Sequence, residues 1–213
     1  MAILSEPGKI LITGATHGIG KAAAELFCSR GWEVYGISGN GEDGRGAAME
    51  KTLPGFHYRV ADVSNEPEIS ALLGRIGQLD AAFNNAGTGI APQKLSEADI
   101  ARARRVIDVN LVGTLICMKH EIAHMPGSGV VVNNASLAAF KAATGADMSY
   151  SASKAGVLAL TAEAAANPEF AGRVSFFSIA PGYIETRMTA ADDKEAQKRR
   201  LPSRRLGQPA EVA

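Results

Sequence analysis

Net charge is the first thing this sequence lacks: 22 lysines and arginines balance 22 aspartates and glutamates across 213 residues. No overall field draws the chain to nucleic acid or to an anionic membrane surface, which leaves small molecules and other proteins as partners. Cysteine is nearly absent. Cys28 and Cys117 each fall in an apolar helical pattern without metal-ligand spacing, so neither a disulfide framework nor a zinc knuckle is expected. No apolar run approaches the ~18 residues a membrane helix needs. The start, Met1 to Lys9, puts Glu6 and Pro7 where a signal peptide needs an apolar core. Repeats and low-complexity tracts are also missing. What remains is a chain with 46% hydrophobic residues, enough to bury one substantial core. The expectation is one cytoplasmic domain over residues 1–213.

Short apolar runs recur at Ile10–Ile12, Val34–Ile37, Tyr58–Val60, Ala81–Phe83, Val130–Val132 and Val174–Phe177, and helical patterns separate them. Lys21 to Ser29 closes on Gly31, and Asn65 to Ile76 opens with Asn65 and Glu68 at capping-box spacing. Strands and helices in alternation, the strands apolar on both faces, predict an α/β doubly wound parallel sheet, the Rossmann architecture. Two segments stand outside that rhythm. Gly39 to Gly46 reads as a glycine-rich loop, and Thr186 to Leu206 as a polar stretch without sheet character, interpreted here as a mobile substrate lid. In its charged part Asp192, Asp193 and Glu195 precede Lys198, Arg199 and Arg200, an order that complements a helix dipole.

The first strand runs into Thr13-Gly14-Ala15-Thr16-His17-Gly18-Ile19-Gly20 and then into a helix, the setting a dinucleotide-binding turn requires. Glycines there let the backbone approach a pyrophosphate at the positive end of the helix. Beyond the turn, the position where an acidic residue would bind ribose hydroxyls and repel a 2′-phosphate holds Ser38. The missing carboxylate favours NADP over NAD. His17, Lys21 and Arg45 are the basic residues near enough in sequence to receive the phosphate.

Tyr150 and Lys154 lie four residues apart at the start of a helix, on one face. A free phenol titrates near pH ~10, and a neighbouring ammonium would draw it down towards the range of general acid–base catalysis. Ser136 follows the fifth strand at the carboxyl edge of the sheet, where ligands of such sheets bind. Its hydroxyl can hold a substrate oxygen.

With its TGxxxGxG spacing and the later elements in order, the chain resembles the short-chain dehydrogenase/reductase family along nearly its whole length. Asn84-Asn85-Ala86-Gly87 is similar to that family's NNAG element, which braces the sheet and lines the cofactor cleft. The resemblance implies adenine contacts at Asp62 and Val63, a nicotinamide-side turn at Pro181 and Gly182 leading through Ile184, and a carboxamide contact at Thr186. It implies a catalytic tetrad of Asn110, Ser136, Tyr150 and Lys154, in which Asn110 carries a proton-relay water. It also implies hydride exchange with a small alcohol or carbonyl, and a homodimer or homotetramer paired through helices at Ser96 to His124 and Tyr150 to Ala166. Relatives run on past Ala213 into a further helix and a seventh strand.

Two other readings compete. His120-Glu121-Ile122-Ala123-His124 spells the HExxH of zinc hydrolases. The position of a third histidine ligand is Val130, inside a strand, so no metal is expected and these residues read as a solvated helix end. The other alternative is a cofactor-binding regulatory module without catalysis, against which the complete tetrad argues.

Overall fold

The computed structural model describes residues 6–39, 43–140, 147–190 and 193–213. Six parallel strands form one sheet in the order β3-β2-β1-β4-β5-β6: β1 Lys9–Thr13, β2 Glu33–Ser38, β3 Phe56–Val60, β4 Ala81–Asn84, β5 Gly129–Asn134 and β6 Val174–Ile179. All six expected strands are present, each a residue or more longer than its apolar run. In β1 the side chains of Ile10 and Ile12 enter the core on one face and that of Leu11 enters the core on the other. That two-sided burial is why the strand reads as unbroken hydrophobicity.

Helices α1 (Gly18–Ser29) and α2 (Arg45–Thr52) belong to the first face, where Ala23, Ala24, Trp32, Val34 and Phe56 pack. On the second face lie α3 (Glu66–Ile76), α4 (Ile100–Ile107), α5 (Gly113–Ala123) and α6 (Met148–Ala166), around Ile69, Leu73, Val109, Met118 and Val131. Asn65 caps α3, its side chain accepting from Glu68 N. Glu68 does not return to the Asn65 backbone as a capping box would; its carboxylate accepts from Asp62 N at 2.9 Å. Over β1, β4, β5 and β6 on the α1 side lies an apolar cavity of about 480 Å³, lined by Phe83, Val132 and Phe177 among others.

Three expectations need correction. The helix expected from Ser96 begins only at Ile100, because Asp99 accepts from Arg102 N and sets the cap, leaving Leu95–Glu97 as a separate 3₁₀ turn. Between α4 and α5 the chain makes a π-helical turn, Asp108–Val112. The loop expected over Gly39 to Gly46 is shorter, since α2 starts at Arg45; residues 40–42 lie outside the described set. In the lid stretch, Asp193 caps a short helix α7 (Lys194–Arg200) with acid first and base last, as the charge order predicts. Ile184 and Gly207 form a parallel bridge that closes the base of this excursion.

Candidate active site

All the candidate groups gather at the carboxyl ends of the strands. The turn after β1 has Gly14 at φ +66° and Gly18 at φ +55°, conformations that disfavour a side chain. A Cβ at Gly14 would also stand 2.9 Å from Ala86 Cα. Thr13 fastens this turn to the next strand, its hydroxyl accepting from Asn85 N at 2.9 Å and Ala86 N at 2.8 Å. The Asn85 amide donates back to the Thr13 and Gly14 carbonyls at 3.1 and 3.2 Å, and Asn134 donates to Asn85 Oδ1 at 2.8 Å. Turn, β4 and β5 are thereby locked in register. Neither Thr13 nor Asn134 was a candidate from the sequence, although Thr13 directly precedes the turn it fastens.

An inner cleft of about 160 Å³ runs between this turn and α6. Gly14, His17, Gly18 and Ile19 form one wall, with Asn85 and Gly87 at the end of β4. Opposite stand Ser136, Tyr150 and Lys154, and Pro181, Gly182, Ile184 and Thr186 close it. Thr16 is buried behind the turn, its hydroxyl 3.1 Å from His17 Nδ1. Burial, reinforced by the Arg187 charge, holds His17 below the usual imidazole range. Glycines that admit a close-lying pyrophosphate, at the N-terminus of α1, fit a dinucleotide.

The candidates at the adenosine end lie outside this cleft. Ser38 is buried at the tip of β2 with its hydroxyl 2.6 Å from that of Tyr58. Val63 packs into the core. The Asp62 carboxylate accepts from Ser64 and from Arg105, the latter at 2.7 Å, and those bonds hold it below the usual range despite burial that opposes them. Two of the basic candidates for a 2′-phosphate are otherwise engaged, Lys21 pairing with Glu25 at 3.5 Å and Arg45 with Asp43 at 2.8 Å, and burial holds His17 below the usual imidazole range.

Asn110 sits in the π-turn, fully buried. Its amide donates to Thr88 O at 2.9 Å and Ser153 Oγ at 3.0 Å while its Oδ1 accepts from Thr88 N. Lys154, on α6, donates to Asn134 O at 2.6 Å. Both Asn110 and Lys154 flank Gly87: a Cβ placed there would lie 3.4 Å from Asn110 Oδ1 and 3.6 Å from Lys154 Nζ. The Lys154 ammonium is 5.9 Å from the centre of the Tyr150 ring.

The electrostatics differ from the simple expectation for the pair. Burial raises Tyr150, and the opposing influence is a hydrogen bond from Ser136 rather than the lysine. Burial pushes Lys154 down to about 8. Both groups lose the solvation of their charged forms, a loss that an opposite charge entering the cleft would offset.

The HExxH side chains diverge, and the segment is only partly a solvated end. His120 turns to Glu66 on α3 at 3.1 Å, and His124 Nδ1 lies 2.7 Å from His120 O. Glu121 points the other way into the core, 0% exposed, where it accepts from Asn84 Nδ2 at 2.9 Å. Successive helix positions diverge by about 100°, so the middle of the motif faces the sheet. Among the described residues no group of three His, Cys, Asp or Glu side chains could hold a metal ion. Cys28 and Cys117 are free, and burial raises both thiols.

A nucleotide-accepting turn facing a phenol, a hydroxyl and an ammonium on a doubly wound sheet defines a class, the nicotinamide-dependent oxidoreductases. The family itself follows from comparison, since the sequence model of the short chain dehydrogenases matches residues 8–197. The chain belongs to that family. It is 37% identical to a cis-4-hydroxycyclohexanecarboxylate dehydrogenase of Sinomonas cyclohexanicum, over 95% of this chain and 85% of that one. A cyclohexanol dehydrogenase of Acinetobacter sp. is 36% identical, over 95% and 83%. The solved structure of a 3-oxoacyl-[acyl-carrier protein] reductase with bound NAD from Brucella melitensis superimposes with a TM-score of 0.87 at 29% identity, covering 98% of this chain and 82% of that one. The protein is an NAD(P)-dependent oxidoreductase.

Proposed function

We propose that this enzyme interconverts a secondary alcohol and its ketone, with Tyr150 as the general acid–base group. The observation that carries the reading is the convergence of Ser136, Tyr150 and Lys154 on one cleft beside the glycine turn. A bound nicotinamide dinucleotide supplies the hydride acceptor or donor at its C4. In the oxidative direction Tyr150 takes the hydroxyl proton as the substrate's C–H bond breaks. Ser136 fixes the substrate oxygen. Lys154 supports the phenolate once charge develops beside it and holds the nicotinamide ribose, while Asn110 keeps the proton route to solvent in place.

An outer cavity of about 600 Å³ opens from the same tyrosine, with Ile90, Pro92, Leu137 and Met188 in its walls. Apolar walls around a polar reacting edge suit an alicyclic substrate, and relatives named for cyclohexanols support that choice. The stretch from Thr186 to Leu206, bridged at its base, acts as the lid of a single dinucleotide-binding and catalytic domain. Ser38 at the ribose position leaves a 2′-phosphate unopposed and supports NADP. Val112 and Leu115, exposed beside and on α5, support a homodimer or homotetramer. No helix among the described residues is long and apolar enough to cross a membrane, and a cytoplasmic location is proposed on that composition. The test is turnover: purified protein should oxidise cyclohexanols with NADP or NAD, and failure across a broad alcohol and ketone panel would overturn the reading.

A further inference from the structure

Two cavities meet at Tyr150, and they differ in charge. The inner cleft, with the glycine turn and Lys154, includes Thr186 and Met188 but not Arg187 between them. Arg187 lines the outer cavity, with Ser136, Leu137, Tyr150 and Met188. Its guanidinium makes no ion pair or side-chain hydrogen bond among the described residues, and it is the one lysine or arginine in the wall of this cavity; Lys194, Lys198 and Arg205, elsewhere in the lid stretch, are each paired with a carboxylate. An arginine left unpaired at the edge of a walled cavity is a ready partner for a planar oxyanion.

Besides Tyr150 and Arg187, the titratable residues lining the outer cavity are His17, Asp147 and the phenol Tyr183. Burial, and after it the charge of Arg187, holds His17 below the usual imidazole range. The Asp147 carboxyl is the N-cap of α6, with Oδ1 accepting from Ser149 N at 2.8 Å, and faces the positive end of that helix. The cavity therefore has a capping carboxylate on the α6 side and, on the lid side, a guanidinium close enough to lower Asp43 by its charge but without an ion pair among the described residues, with apolar walls between.

We infer that Arg187 binds a carboxylate on the substrate, and that the preferred substrates are alicyclic hydroxy acids whose hydroxyl reaches Ser136 and Tyr150 while the ring lies on the apolar walls. This deepens the alcohol-dehydrogenase reading and rests on it. The carboxylate takes no part in the bond changes; it fixes which carbon faces the cofactor.

The test compares trans- or cis-4-hydroxycyclohexanecarboxylate with cyclohexanol, in the wild type and in Arg187→Gln. Loss of a charge-assisted pair should lower the ratio of kcat/KM for the acid over that for the alcohol roughly 10- to 100-fold. Arg187→Glu should go further and favour 4-aminocyclohexanol over the acid. An unchanged ratio in Arg187→Gln overturns the inference. So does a rise in the KM for NADP or NAD that accounts for the whole effect, since Arg187 would then serve the cofactor's phosphates. Failure of the parent reading looks different: the wild type would turn over none of these alcohols.

Discussion

Glu121 offers the sharpest physical test of the interior. Its carboxyl is fully buried, receives one hydrogen bond from Asn84, and leaves Oε1 without a partner, as is Oδ1 of the same asparagine. Burial pushes the group from 4.5 up to about 8, so it stays protonated at neutral pH. An acid whose folded value lies above its unfolded one stabilises the fold fully below the unfolded value and loses that contribution as pH rises through the folded one. The window is therefore pH 4.5 to about 8. At about 1.4 kcal/mol for each unit of displacement, the full loss is on the order of 5 kcal/mol, about 3 of it already spent by pH 7. Glu121→Gln is neutral throughout and nearly the same shape. Urea unfolding of both proteins between pH 5 and pH 8 should show the variant gaining on the wild type by several kcal/mol towards pH 8, whatever constant offset the amide brings. A stability difference that stays flat across that range would refute the argument, because every other titrating group is common to the two proteins.

Tyr150→Phe should reduce kcat by roughly 10²- to 10⁴-fold while cofactor binding, followed by fluorescence titration, persists. Retained turnover would remove the phenol from the chemistry. Ser38→Asp should shift preference from NADPH to NADH by about tenfold or more, read from the two kcat/KM values, because a carboxylate at the proposed ribose position would repel a 2′-phosphate. Gly14→Val, at φ +66° and crowded against Ala86, should cost about 1–3 kcal/mol in strain and weaken cofactor binding. Dinucleotide affinity equal to wild type would show that the turn is not the cradle.

What could be read from the sequence was what depends on chain-local pattern. Strands such as Ile10–Ile12 are legible because a sheet covered on both faces needs unbroken apolar runs, and the glycine turn because only glycine tolerates its backbone. Interactions between distant residues were not legible. Nothing near Glu121 in sequence signals that Asn84, 37 residues earlier, waits in the core to bond it, and a motif spelled HExxH pointed instead to metal. The π-turn that buries Asn110 is likewise set by Thr88 and Ser153, which lie on other elements. The same limit applies to the tyrosine–lysine pair. Its spacing suggests direct charge tuning, yet in the fold the ammonium donates to Asn134 O, and the influence that opposes burial at the phenol comes from Ser136. Tyr150 and Lys154 are two desolvated groups lining one cleft, and in the mechanism proposed above proton transfer waits for substrate and cofactor to offset that desolvation.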